Sequence, residues 1–342
     1  MITGEVGTIR TSRREQESTM TSTTNERIGS TARVPDPPPA RRRGRIRVAP
    51  YAFMLPAVVL FVFSIAIPIL YTAYLSLRTV KVSGLGLGPG ARTEGWGGLT
   101  NYTKTLSDSD FLHSVLRVLG YGLVVIPVML GLALLFALLL DSVRVRARRF
   151  SRLVIFMPYA VPAVISSLLW GFLYLPSVSP FTYAADQVGV TLPEPMAPGL
   201  VLFAIANIAV WGGVGFNMIV LYTALRSIPS DLYEAARIDG ASELQIALRI
   251  KIPIVIPSLI MTSVFSMITT LQVFAEPTVL RPLTNNISTS WSPLMMIYRD
   301  AFTRNDIYSA SATSVVLAVA TFVLSFGFLR LVQNRAFAQE TR

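Results

Sequence analysis

Long apolar runs alternate with short polar turns along this chain. Six segments reach the roughly 20 apolar residues that a helix needs to cross a bilayer. They are about 51–77, 115–140, 153–176, 199–225, 252–275 and 308–331. Lipid offers the backbone no hydrogen-bond partners, so each run is predicted as a helix. Their interiors are expected to hold essentially no Asp, Glu, Lys or Arg. Ahead of them, residues 1–46 are rich in Ser, Thr, Arg, Glu and Pro and show almost no apolar periodicity. Such a stretch buries too little surface to offset chain entropy and is predicted to be a disordered tail. No apolar stretch lies near Met1, which argues against a secretory signal. The expected fold class is an all-α polytopic membrane protein: a tail over 1–46, then one six-span domain over 47–342.

One polar interruption breaks this pattern between the fourth and fifth runs. Ser230 to Pro257 reads S-D-L-Y-E-A-A-R-I-D-G-A-S-E-L-Q-I-A-L-R-I-K-I-P-I-V-I-P. Ser230 and Asp231 are candidate N-caps, with Glu234 three residues after Asp231. Tyr233, Ala236, Arg237 and Gly240 fall at helical spacing, and Gly240 is placed to end the helix. Leu244, Ala247, Leu248 and Ile250 form an apolar stripe suited to a membrane face. Pro253 and Pro257 mark entry to the next span. On these features alone, an amphipathic helix that closes a turn and one that docks a partner are equally good readings.

Charge places this helix. Arg41, Arg42, Arg43, Arg45 and Arg47 directly precede the first span, and the turn 141–152 carries five Arg, whereas loop 177–198 carries no Lys or Arg. The positive-inside bias puts both termini, the turn 141–152 and the segment 226–251 in the cytoplasm. Loops 78–114 and 276–307 lie outside. The first holds G-L-G-L-G-P-G at 84–90, which reads as a flexible linker. Asn101-Tyr102-Thr103 and Asn286-Ile287-Ser288 match a glycosylation acceptor pattern that arises by chance and carry no weight.

Composition removes several function classes. The chain of 342 residues is 52% hydrophobic and 14% charged, well below the quarter charged that soluble domains carry. Its net charge of +11 is explained by membrane-flanking turns and the tail, so nucleic acid is not an expected partner. Lys81, Lys104 and Lys251 are its lysines, and none follows a glycine, so no Walker A loop is present and ATP use falls to another subunit. Without cysteine there is no disulfide, thiolate metal site or cysteine nucleophile. The single histidine, His113, cannot form an H-E-x-x-H pair and reads as interfacial. Neither a catalytic residue nor a cofactor or metal site is expected.

Glu234-Ala235-Ala236, three residues, Gly240, nine residues, then Ile250-x-Ile252-Pro253 resembles the E-A-A loop of bacterial ABC importer permeases, with Ile252 where that family has Leu. The resemblance implies the type I importer permease architecture and makes the loop a cytoplasmic coupling helix that docks into a cleft of the ATPase. Glu234 would pair with a basic residue of that subunit, and Gly240 would permit the turn. Ala235, Ala236, Arg237, Asp239, Ile250 and Pro253 complete the coupling set. Met157-Pro158-Tyr159-Ala160-Val161-Pro162, Trp211-Gly212-Gly213 and Leu225-Arg226-Ser227-Ile228-Pro229 are similar to motifs of the maltose-type sugar permeases. Positions corresponding to Gly213, Phe216, Ser266, Thr269 and Thr270 line the sugar site in that group, where Thr269 and Thr270 are smaller than its amides and aromatics.

A path for a hydroxyl-rich solute needs hydrogen-bond partners and aromatic faces. Asn207, Trp211, Asn217 and Tyr222 of the fourth span offer these, as do Ser263, Gln272 and Phe274 of the fifth. For each Ser or Thr the competing role is a bond to its own helix backbone or a neighbouring helix. The combined expectation is the permease subunit of an ATP-driven importer for a sugar or oligosaccharide, working by alternating access. Its implied partners are a second homologous permease, an ABC ATPase dimer that holds ATP–Mg, an extracytoplasmic lipoprotein solute-binding protein, and membrane lipid. Glycerol phosphate or polyamine cargo is the alternative within the family. An ion-coupled secondary transporter would need intramembrane charges that these spans lack.

Overall fold

A computed structural model of the protein describes residues 48–82, 92–142 and 145–336. The expected tail 1–46, the arginine run before the first span and the linker 84–90 lie outside the described residues. α1 (Val48–Phe61) continues through a π-turn at Val62–Ala66 into α2 (Ile67–Ser76). β1 (Arg78–Val82) and β2 (Arg92–Trp96) form an antiparallel hairpin with Val80 opposite Glu94. α3 (Thr100–Ser107), α4 (Ser109–Asp141), α5 (Arg148–Phe156), α6 (Ala163–Tyr174) and α7 (Pro180–Gln187) follow. Then come α8 (Val201–Arg226), α9 (Ser230–Ile238), α10 (Glu243–Ile246), α11 (Ile252–Leu271), α12 (Ala275–Leu280), α13 (Pro293–Tyr298) and α14 (Ile307–Ala336).

Among the described residues, five helical segments are long and apolar enough to cross a membrane: Tyr51–Ser76, Ser109–Asp141, Val201–Arg226, Glu243–Leu283 and Ile307–Val332. The third expected span differs. Arg148–Ala160 and Ala163–Tyr174 meet at a 96° bend, the geometry of a broken span or a re-entrant loop in place of a straight crossing. Proline explains the break. The chain tightens into a 3₁₀ turn at Met157–Ala160, Val161 turns extended (φ −81°, ψ 125°), and Pro162 caps α6. A residue before proline is pushed out of the helical region, and proline has no N–H to continue the ladder.

Helical periodicity builds the core. Val118, Tyr121, Val125, Met129, Ala133, Ala137 and Leu140 recur along one face of α4, all buried. Ala133 and Ala137 are fully buried, and such small side chains let helix backbones approach closely. The face meets α8 in two clusters. One gathers Tyr121, Ile205, Ile208, Leu280, Trp291 and Met295. The other, nearer α9, gathers Met129, Val214, Met218, Leu221, Leu225 and Val255. Gly215 lets α8 touch α5: a Cβ there would run into the Ile155 carbonyl oxygen and stand 2.7 Å from Phe156 Cα.

The segment 276–307, expected as a loop, packs into the core, with Leu280, Ile287, Trp291, Met295 and Met296 buried. Charged side chains sit near the ends of the crossing segments. Arg117 Nη1 donates to the Trp291 carbonyl at 2.8 Å, and its guanidinium lies 5.9 Å from the Trp291 ring centroid. At the α9 end, Lys251 Nζ lies 2.5 Å from Asp141 Oδ2, with both residues buried. Removing one partner of such a pair strands a charge and costs about 3–5 kcal/mol.

Candidate functional site

The two core clusters leave a cavity of about 720 Å³ between them, walled by α4, the Met157–Ala160 turn, α6, α8, α11 and the start of α12. That volume falls within the roughly 300–1,000 Å³ typical of small-molecule sites. α8 contributes Gly212, Gly213, Phe216 and Asn217; α11 contributes Ser266, Thr269 and Thr270, with Gln272 at its C-terminal cap. With Phe274, eight of the twelve candidates for a solute path therefore share one cavity. Gly213 lets α8 pack closely on α4, since a Cβ there would collide with Met129 Sδ.

Tyr222 does not line the cavity. It packs beside the cluster nearer α9, where the Arg152 guanidinium lies 5.7 Å from its ring centroid. Asn207 and Trp211 are also committed elsewhere. Asn207 Nδ2 donates to Tyr174 Oη at 2.9 Å, which itself donates to the Ala204 carbonyl, while Trp211 meets Trp170 edge-on at 6.0 Å.

Most wall hydroxyls are tied into the helices. Thr269 Oγ1 donates to the Phe265 carbonyl at 3.0 Å and Ser166 Oγ to the Pro162 carbonyl at 3.3 Å, while Ser263, off the cavity wall, donates to the Leu259 carbonyl at 2.6 Å. Asn217 Nδ2 donates to the Gly213 carbonyl at 2.9 Å, and Ser266 Oγ reaches Asn217 Oδ1 at 3.4 Å, linking α11 to α8. A hydroxyl that donates to its own backbone still keeps acceptor lone pairs for a ligand.

Sequence reasoning missed two wall features. Tyr159 stacks on Phe216 with ring centroids 5.0 Å apart and planes 21° from parallel, and both rings remain exposed. The M-P-Y-A-V-P motif, used above only to suggest a family, thus supplies an aromatic face. Its proline bend turns that face inward. Glu276, one residue beyond the expected fifth span, also lines the cavity. Among the described lining residues it is the one charged side chain, and no ion pair engages it. An acidic residue next to a predicted span boundary was the available signal.

The expected coupling residues cluster on an exposed turn. α9 begins at Ser230 with Pro229 at the N-cap and no side-chain cap, so neither Ser230 nor Asp231 serves that role. Glu234, Ala235 and Arg237 are exposed, and Ala236 is half-buried. Gly240 closes the helix at φ +83°, a conformation that suits glycine. Gly240 N–H donates to the Arg237 carbonyl at 3.0 Å and Ala241 N–H to Ala236 at 2.9 Å, the paired bonds of a Schellman ending.

The side-chain cap lies further on. Ser242 and Gln245 form a reciprocal capping box that starts α10. Arg237 Nε reaches Glu243 Oε1 at 2.9 Å across the turn, and this hydrogen bond raises the Arg237 pKa. Asp239 caps the C-terminus of α9, Ile250 is half-buried, and Pro253 is exposed near the start of α11. α10 runs through a π-turn at Ala247–Lys251 directly into α11, so the turn is built onto the root of a crossing helix. Of the expected apolar stripe, Leu244 and Leu248 are exposed and Ala247 and Ile250 half-buried, while Ile246, outside that stripe, is buried. Among the described residues, no three His, Asp or Glu side chains gather as a metal site.

Residues 129–342 match the family model described as binding-protein-dependent transport system inner membrane component. The sn-glycerol-3-phosphate transport system permease protein UgpA of Salmonella choleraesuis (strain SC-B67) is 28% identical over 295 residues, spanning 85% of this chain and 96% of the relative. A bacterial ABC transporter involved in import of the acidic polysaccharide alginate shares the fold, with TM-score 0.69 and 21% identity over 84% of this chain and 95% of that one. The same transporter type in complex with an alginate pentasaccharide-bound periplasmic protein gives TM-score 0.70 and 20% identity over the same shares.

Proposed function

Because the chain belongs to the binding-protein-dependent transport system inner membrane components, we propose that it forms the path for a neutral sugar or oligosaccharide. It is a multi-pass transport subunit, and its partners are a second permease, an ATPase pair and an extracytoplasmic binding protein. The observation that carries the cargo assignment is the cavity. It combines an aromatic face at Tyr159 and Phe216 with the amides and hydroxyls of Asn217, Gln272, Thr269 and Thr270. Sugars present apolar ring faces and a rim of hydroxyls, which these two kinds of surface complement.

Glu276 sharpens the class. A carboxyl oxygen accepts hydrogen bonds from sugar hydroxyls. When ionised it repels phosphate or uronate groups, and no basic side chain lines the described wall to offset it. Anionic cargo is the second reading, favoured by the glycerol-phosphate relative.

Movement follows from the chain's own continuity. The turn carrying Glu234 and Gly240 receives ATP-driven displacement on the cytoplasmic side. α8 ends just before it and α11 begins just after it, so both swing and expose the cavity to alternate faces. Uptake assays on cells bearing or lacking this gene would use maltotriose, digalacturonate and glycerol 3-phosphate as probes. Gene-dependent uptake of maltotriose alone is expected, and Glu276→Gln should raise uptake of the anionic probes at least fivefold relative to maltotriose. Gene-dependent uptake of only the anionic probes would overturn the neutral-cargo reading.

A further inference from the structure

The α9 end holds a charge cluster that the cavity does not use. Lys251 Nζ sits 2.5 Å from Asp141 Oδ2, with side chains 7% and 3% exposed. It also lies 4.7 Å from the centroid of the Tyr233 ring. Arg226 Nη1 approaches the other Asp141 oxygen at 3.8 Å. Each member belongs to a different element. Asp141 ends α4, Arg226 ends α8, Tyr233 lies in α9, and Lys251 ends the π-turn that opens α11.

α9 has few other holds on the molecule. None of its residues is fully buried, its N-terminus has no side-chain cap, and Leu232 and Ile238 face outward. Tyr233 is its side chain in the core cluster nearer that end. The Tyr233 hydroxyl is buried with no hydrogen-bond partner. The ring face, not the hydroxyl, therefore makes the useful contact, as expected for a cation held over an aromatic. The Arg237–Glu243 pair cannot replace this hold, because an exposed pair is screened and contributes little. A buried, closely hydrogen-bonded pair is shielded from salt and geometrically stiff.

We propose that Asp141, Lys251 and Tyr233 are positioning residues that lock α9 to the ends of α4 and α11, so that a push on α9 moves α4, α8 and α11 as one body. This rests on the reading of α9 as the coupling helix and adds the groups that carry its displacement into the spans.

The chain lacks cysteine, so spin labels attach only at introduced cysteines. The complex, purified with its partner subunits through a tag on this chain, would carry labels at Leu139 of α4 and Asp239 of α9, both exposed. The 139–239 distance distribution is expected to be narrow and unchanged by ATP with vanadate. Lys251→Met should widen it at least twofold, as should Tyr233→Ala, whereas Tyr233→Phe should not.

A wild-type distance that shifts between nucleotide states would overturn the lock, as would a wild-type distribution in Lys251→Met. A wild-type distribution in Tyr233→Ala, which leaves the Asp141–Lys251 pair in place, would also overturn it. Failure of the coupling reading has a different signature: the distances behave as expected, yet Glu234→Lys still takes up solute.

Discussion

Phe216 and Tyr222 show how one helix assigns similar residues to different work. They lie six residues apart, which at about 100° per residue turns the side chain well away from the cavity. Phe216 shares its face with Gly212, Gly213 and Asn217 and stacks on Tyr159; Tyr222 faces the core beside Arg152. Helical phase was readable from the sequence, but which phase faces the cavity was not, because that depends on the neighbouring helices. Phe216→Ala should raise the KM for the transported oligosaccharide about tenfold, the loss of one aromatic stack worth about 1–1.5 kcal/mol. The amount of assembled complex should stay unchanged. Steady-state uptake with quantified membrane protein checks this, and an unaltered KM removes Phe216 from the path. Glu276 was hidden for a related reason: hydropathy places it at a loop boundary, whereas the fold turns that boundary into the cavity wall.

At the scale of elements, the turn after α8 was the most legible part of the chain. Its glycine and proline spacing marked where a helix must stop and another start, and Gly240 adopts the left-handed conformation that only such a turn requires. Its capping was less legible. Ser242, not Ser230 or Asp231, is the side chain that caps, because Pro229 already sets the entry into α9. Glu234 is exposed on that helix, so a charge reversal there leaves the core untouched. Glu234→Lys should abolish uptake and cargo-stimulated ATP hydrolysis in the assembled complex while membrane insertion stays normal. Normal uptake by that variant would end its assignment to coupling. The expected third span is the converse case. Pro158 and Pro162 stand in its sequence, yet their consequence, a 96° bend, is masked by an apolar run long enough to cross straight.

For the whole molecule, the arginine bias predicts that the α9 turn lies in the cytoplasm and loop 177–198 outside. The cysteine-free background makes this directly measurable. A single cysteine at Asp186, exposed in α7, should react with a membrane-impermeant maleimide in intact spheroplasts. One at Asp239 should react only in inverted vesicles or permeabilised cells. The opposite pattern would invert the topology and remove α9 from reach of a cytoplasmic ATPase.

What the sequence determined by itself was whatever depends on local composition. Apolar length marked the crossing segments, and glycine and proline spacing set the α9 turn. The tertiary structure alone decided what depends on distant segments meeting. It joined Tyr159 to Phe216, turned Glu276 into a cavity, folded 276–307 into the core, and brought Asp141 to Lys251 across 110 positions of chain. The physical reason is range. Hydropathy and turn propensity act over a few residues, whereas a cavity wall and a buried ion pair form only where packed helices bring remote side chains together.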